Sequence, residues 1–293
     1  MRFLKVEGAG NDYVLVDAFR ERCANPSQLS IALSDRHTGV GSDGLLLVGP
    51  APAHSPAAAE MRMFNADGSE GRMCGNGLRC VVRWLVREGR GRRGEVAVQT
   101  AAGLRRGRLL SDAGDGRVEV SMGQPSFHPE DIPARLPGDG QRPAVLELPP
   151  ELGLAGSEGY AVSVGNPHVV VRVSDPAALD LARCGQALER HPAFPDGVNA
   201  HFVALHEAPA QADGHSAAWF EVRPWERGSG ATRACGTGAV AVSAVARALS
   251  WSVAQSYLVE MPGGRLGVRF DSAGEAWLIG PARLVFQGEW ATA

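Results

Sequence analysis

The feature that most constrains this chain is a repeat. Cys74-Gly-Asn-Gly opens a helical pattern running to about Glu88, and Cys235-Gly-Thr-Gly opens another running to about Leu249. The two cysteines stand 161 positions apart, and so do the later glycine turns at Gly103 and Gly264. An alternating strand pattern precedes each cysteine, over residues 59–64 and 218–225, with a glycine-containing loop between. A strand pair surrounds each later turn, over residues 96–110 and 257–270. Upstream, Gly10-Asn11-Asp-Tyr-Val-Leu-Val is matched by Gly165-Asn166-Pro-His-Val-Val-Val. Helical patterns over residues 29–36 and 179–190 end at His37 and His191, before strands over 45–48 and 200–205. Any one pairing is what chance similarity between small segments produces. Several in the same order predict a duplicated unit.

Strands outnumber crossover helices, so the expected class is α+β rather than doubly wound. The prediction is two pseudosymmetric halves, each a mixed sheet or barrel wrapped around a central helix, with the active site in the cleft between them. The halves are residues 1–122 and 123–277, the first completed by a C-terminal strand from about 278 to 293. Residues 122–150, rich in Pro and Gly and weakly periodic, read as a connection, and residues 277–286 as one final strand.

Composition narrows the partners. The 293 residues carry 29 basic against 32 acidic side chains, a net charge of −3. No long-range field therefore favours nucleic acid or an anionic membrane, and a small-molecule substrate is expected. The cluster Arg90-Gly-Arg92-Arg93 reads as a solvated turn. No apolar run reaches the length of a membrane span, and the N-terminus alternates like a strand rather than an export signal, so the expected location is cytoplasmic. Cys23, Cys74, Cys80, Cys184 and Cys235 are odd in number and widely spaced, which predicts reduced thiols. None has zinc-ligand spacing, so no metal is expected. Cys23, Cys80 and Cys184 lack the glycine frame and read as core residues.

Cys-Gly-x-Gly at a helix start has chemical consequences. The first helical turn presents unpaired N–H groups and partial positive charge, a site for a carboxylate, and the glycines let a ligand approach. A thiol placed there has its thiolate stabilised. A lone cysteine would read as a small buried hydrophobe beside a cap, but the repetition argues against that. Inverting a stereocentre requires a base on one face of the carbon and an acid on the other, and a thiolate paired with a thiol serves both directions by exchanging roles. Two helix starts aimed at one α-carboxylate would stabilise the enolate-like charge as the proton leaves. No cofactor is then needed.

The chain resembles the diaminopimelate epimerase family over nearly its whole length. The resemblance rests on Gly8-Ala-Gly-Asn-Asp-Tyr-Val, Asp35-Arg-His-Thr-Gly-Val-Gly-Ser-Asp-Gly, Phe64-Asn-Ala-Asp-Gly-Ser-Glu, Met73-Cys-Gly-Asn-Gly-Leu-Arg, Gly165-Asn-Pro-His, Val198-Asn-Ala, Trp225-Glu-Arg-Gly-Ser-Gly and Ala234-Cys-Gly-Thr-Gly-Ala. It implies diaminopimelate as substrate, lysine and peptidoglycan precursor synthesis as context, and a homodimer. By the same resemblance Cys74 is the base towards the LL isomer and Cys235 the acid. Gly75, Asn76, Gly236 and Thr237 hold the reacting carboxylate, while Asn11, Asn65, Asn166, Asn199 and Arg227 hold the distal amino acid centre. Asparagine beside Gly or Pro is commonly a turn residue, which is the other reading of Asn11 and Asn166.

His168 and Glu226 match positions near the reacting carbon, where they would tune or orient the thiols; a structural histidine and a simple Glu226–Arg227 pair are the alternatives. His37 is expected to support a loop and Asp67 to cap the segment leading to Cys74. Gly44 and Ala231 depart from the commonest pattern, which carries Gln and Glu there. A proline racemase typically reads Cys-Gly-His-Gly where this chain has Asn76, and a phenazine-type isomerase lacks the paired cysteines. A noncatalytic amino-acid-binding module has no use for two thiols.

Overall fold

The computed structural model describes residues 1–71, 73–91, 94–154, 156–206 and 217–291; Arg92 and Arg93 of the basic cluster lie outside them. The chain divides into two compact units, Met1–Ser121 with Ile279–Ala293, and Met122–Leu278.

In the first unit, β1 (Arg2–Gly8) and β2 (Asn11–Asp17) form an antiparallel hairpin through Ala9 and Gly10, whose φ angles are 55° and 90°. Helix α1 (Pro26–Ser34) begins where Asn25 accepts from the Gln28 N–H and proline occupies the first turn. It crosses to β3 (Gly44–Gly49), parallel to β2, and β4 (Ala59–Asn65) returns antiparallel to β3. β4 turns into the short β5 (Glu70–Gly71), then α2 (Gly75–Arg87) leads to β6 (Glu95–Thr100), parallel to β4. β7 (Gly103–Ser111) and β8 (Arg117–Gly123) follow antiparallel, the latter carrying the chain into the second unit.

The second unit repeats this order. β9 (Ala144–Glu147) pairs antiparallel with β10 (Glu158–Ser163), and β10 with β11 (Pro167–Arg172). After α3 (Leu181–Glu189), β12 (Asn199–His206) lies parallel to β11 and β13 (Ala217–Glu226) antiparallel to β12. The short β14 (Gly230–Ala231) precedes α4 (Gly236–Ala248), then β15 (Ser256–Met261) lies parallel to β13 and β16 (Gly264–Phe270) antiparallel to β15. β17 (Ala276–Pro281) carries the chain back, and β18 (Arg283–Glu289) pairs antiparallel with β1.

Each unit surrounds its own long helix with its own strands. Helix α2 packs against β1, β2, β6, β7 and β18, and α4 against β10, β11, β12 and β16. Every residue of α2 from Gly75 to Leu85 is buried, and so is every residue of the Ala/Val-rich α4 from Gly238 to Ala246, as a helix apolar on most sides requires. Gly107 of β7 shows how close the approach is, because a β-carbon there would lie 2.3 Å from Val82 of α2. On the other face of its sheet the first unit packs Phe3, Val14, Val16, Leu33, Leu45 and Phe64 beneath α1.

Three expectations need correction. Residues 277–286 are not one strand, because Pro281 has no N–H to continue a ladder and the Ala282 N–H donates to Asp115 O. The stretch 122–150 is more than a connection: β9 buries Ala144 and Leu146, and Ile132 joins the second core, a contribution too short to register as periodicity. Cys23 is half-buried in the irregular segment before α1 rather than in a core, whereas Cys80 and Cys184 are buried.

Candidate active site

The two helix starts have the same local construction. Cys74 caps α2 at φ −136°, ψ 111°, and Cys235 caps α4 at φ −129°, ψ 109°. Each Sγ accepts the N–H of the residue three on, Gly77 or Gly238, at 3.3 Å. The next N–H groups, of Leu78 and Ala239, go to the cap carbonyls. Among the described residues no hydrogen bond engages the N–H groups of Gly75 and Asn76 or of Gly236 and Thr237, so each helix start keeps two donors for an anion.

The thiols differ in their surroundings. Cys74 is half-buried, with the Tyr13 hydroxyl 3.0 Å from its Sγ. Arg79, one turn further along α2, is wholly buried, and among the described residues no carboxylate is hydrogen-bonded to it; its Nε donates to Pro281 O at 3.1 Å and its Nη1 to Asn76 Oδ1 at 2.9 Å. Burial lowers the proton affinity of that guanidinium. Cys235 is buried, with Thr237 Oγ1 at 3.4 Å. Burial pushes its thiol well above the ordinary value, and the facing Glu226 carboxylate adds to the shift. Cys80, buried and donating to Glu7 O at 3.3 Å, is pushed up to about 12 by burial and stays a thiol at any physiological pH.

Within the first unit the asparagines form a relay. Asn76 Nδ2 donates to Asn11 Oδ1 at 2.5 Å, and Asn11 Nδ2 donates to Asp43 Oδ2 at 3.2 Å. Arg36 closes the relay on Asp43 and Asp12, and Lys5 also reaches Asp12. Asn65 bonds elsewhere, to Ser69 Oγ at 2.9 Å. Asp67 accepts from the Ser69 N–H and hydroxyl, so it shapes the β4–β5 turn instead of capping a helix. His37 is exposed in the loop after α1.

Within the second unit Asn166 and His168 are joined, Asn166 Oδ1 lying 2.9 Å from His168 Nε2, and His168 Nδ1 lies 2.8 Å from His201 Nε2. Asn199 donates to Pro167 O at 2.7 Å and accepts from the Arg227 N–H at 3.1 Å, so both ends of its amide are held by backbone. Glu226 accepts from Thr232 Oγ1 at 2.5 Å. Arg227 is exposed, and its Nη1 donates to Asp196 O at 2.6 Å, leaving the rest of its donor fork for a ligand.

Sequence reasoning did not single out Tyr13, Asp43, Arg79, His201 or Thr232. Tyr13, Asp43 and Arg79 lie inside the quoted motifs, and His201 shares a strand face with Asn199 two positions earlier, in parallel register with His168 and Val170. At Gly44 a β-carbon would lie 2.2 Å from Phe64 O, so this register admits no side chain there. Ala231 is exposed opposite Trp225 on β14.

Solved structures share this architecture. A hydroxyproline epimerase from Agrobacterium vitis matches with a TM-score of 0.63 at 18% identity, covering 98% of this chain and 90% of its own. A PhzF-family phenazine biosynthesis protein from Bacillus anthracis matches with a TM-score of 0.66 at 16% identity, covering 100% and 99%. At such identity the likeness shows the fold alone, and it places the chain among duplicated α+β proteins that here begin each central helix on a cysteine. The family is narrower. The diaminopimelate epimerase model matches residues 3–128 and 160–285. Relatives described as diaminopimelate epimerase are 41% identical, from Desulfovibrio desulfuricans over 99% of this chain and 98% of theirs, and from Desulforudis audaxviator over 100% of both. The chain belongs to the diaminopimelate epimerase family, and so to the isomerases.

Proposed function

We propose that the protein converts LL-2,6-diaminopimelate to the meso isomer by two-base proton transfer at the α-carbon, supplying a precursor for lysine and peptidoglycan. Cys74 as thiolate removes the α-proton, and the Cys235 thiol returns one to the opposite face. In the reverse direction the roles exchange. The observation that carries this reading is the thiol-capped helix start, built twice with backbone angles within 7° of each other in a chain of this family.

The N–H groups of Gly75, Asn76, Gly236 and Thr237 receive the reacting carboxylate and stabilise charge that develops as the proton leaves. This does the work of an electron sink, so the proposed reaction uses no cofactor. Asn11, Asn65, Asn166, Asn199 and Arg227 hold the distal amino acid centre, with Arg227 gripping its carboxylate through charge-assisted hydrogen bonds. His168 and Glu226 stand near the reacting carbon, where they orient the thiols or tune their proton affinity, Glu226 keeping Cys235 protonated. The reading includes a homodimer, from the family resemblance, and a cytoplasmic location, because five free cysteines and two working thiols suit a reducing compartment.

The test is α-proton exchange in deuterated water, followed by NMR on purified protein with LL-diaminopimelate and no pyridoxal phosphate. Exchange at the α-carbon with formation of the meso isomer is expected. Exchange into proline or histidine, with none into diaminopimelate, would overturn the substrate.

A further inference from the structure

The repeat aligns Tyr13 with His168, since Gly10-Asn11-Asp12-Tyr13 matches Gly165-Asn166-Pro167-His168. In the second unit the histidine bonds to Asn166 and His201, and the group facing Cys235 is instead a carboxylate, Glu226. In the first unit the tyrosine at this position reaches the thiol itself. Its side chain is buried on β2, 4% exposed, with the hydroxyl 3.0 Å from Cys74 Sγ. Nothing in the sequence motifs assigns it a role.

We infer that Tyr13 is a further catalytic residue, whose hydroxyl donates to the Cys74 thiolate and so makes Cys74 the thiol that enters the reaction already ionised. The inference rests on the reading of Cys74 as a proton-transferring thiol. Two hydrogen-bond donors and a cation beside Cys74 favour the thiolate. Its Sγ accepts the Gly77 N–H at 3.3 Å, and the hydroxyl of the buried Tyr13 is a second donor. From α2, the Arg79 cation attracts the thiolate, while Cys80 is neutral. Glu7 on β1 adds negative charge to this neighbourhood; it acts on Arg79 and Cys80, and Arg283 lies 3.7 Å from its carboxylate. Two donors and a buried cation hold a thiolate, whereas the carboxylate beside Cys235 holds a thiol. The two thiols therefore begin in opposite protonation states, as removal of a proton by one and delivery by the other requires.

The test measures Cys74 directly, by the pH dependence of its alkylation with iodoacetamide, followed by mass spectrometry of the Cys74 peptide in the free protein. A hydrogen bond to a charged acceptor is strong enough that Tyr13→Phe should raise the Cys74 midpoint by about one pH unit. At a pH below that midpoint kcat/KM should fall about tenfold, and it should recover at higher pH, which a loss of folding would not do. Replacing Tyr13 with 3-fluorotyrosine, a stronger donor of the same shape, should move the midpoint down. A midpoint that is unchanged or lowered in Tyr13→Phe would mean that the thiol donates to the phenol, and would overturn the inference. The alkylation readout needs no substrate, so failure of the diaminopimelate assay with an intact Cys74 shift would count against the substrate alone.

Discussion

His168 Nδ1 lies 2.8 Å from His201 Nε2, with both rings wholly buried. Since Asn166 Oδ1 can only accept, His168 carries its proton on Nε2; Nδ1 then accepts from His201 Nε2–H. His201 Nδ1 is left bare, without a hydrogen-bond partner among the described residues. Burial disfavours a second proton on either ring. Burial lowers His201 to about 3, and burial together with His201 and Arg227 holds His168 well below its ordinary value. Above about pH 6.5 both rings are neutral, folded or unfolded. As pH falls below that value the unfolded chain takes up protons that the folded one refuses, so stability drops, and the loss continues towards pH 3. Each histidine contributes a slope of about 1.4 kcal/mol per pH unit in that window. Urea unfolding between pH 7.5 and 5 should show this slope, and His201→Asn should reduce it. An equal slope in the variant would remove His201 from the account.

Glu226 should govern the other thiol. Its carboxylate raises the Cys235 value on top of the larger effect of burial, so Glu226→Gln is expected to lower it. Alkylation of the Cys235 peptide should then begin at a pH lower by about one unit, with Cys74 unaffected. Unchanged Cys235 alkylation would show that burial alone sets its state.

Gly238→Ala should destabilise the second unit, although alanine normally improves a helix. The added carbon would lie 2.3 Å from His201 Cε1 and 2.8 Å from each ring nitrogen. Overpacking against a rigid buried ring costs about 1–3 kcal/mol, readable as a lower urea midpoint. A double variant with His201→Ala should recover part of it. A raised midpoint in Gly238→Ala alone would contradict the close approach.

Cys74→Ala and Cys235→Ala should each lose turnover on the order of 10³-fold or more, with thermal melting little changed, because each removes one of two proton carriers. Cys80→Ala should keep turnover, since that thiol is held protonated at about 12 and donates to Glu7 O. Full activity in either single variant of the capping pair would exclude a two-base reaction.

Local order was legible in the chain because its causes are local. The helix expected from Cys74 to about Glu88 is α2 at Gly75–Arg87, and that expected from Cys235 to about Leu249 is α4 at Gly236–Ala248, because cap, glycine frame and apolar run all fall within a few turns. The return of the chain after Pro281 was less legible. Both sides of that proline are apolar and alternating, and only the Ala282–Asp115 hydrogen bond shows where one strand ends. β9 was hidden for a similar reason: four residues among prolines define no period, and Ala144 and Leu146 become core only where β10 receives them.

By itself the sequence determined the duplication, the α+β class and the two thiols at helix starts, since each is a matter of spacing and of residues acting on near neighbours. Tertiary structure alone decided what surrounds each thiol. Tyr13 is 61 positions from Cys74 and His201 is 33 from His168, and no periodic pattern connects side chains that meet across strands and helices. The electrostatic character of a thiol depends on burial and on the groups facing it, and those are properties of packing. That is why two nearly identical Cys-Gly-x-Gly caps stand in unlike surroundings, one beside a phenol and a buried guanidinium, the other beside a carboxylate.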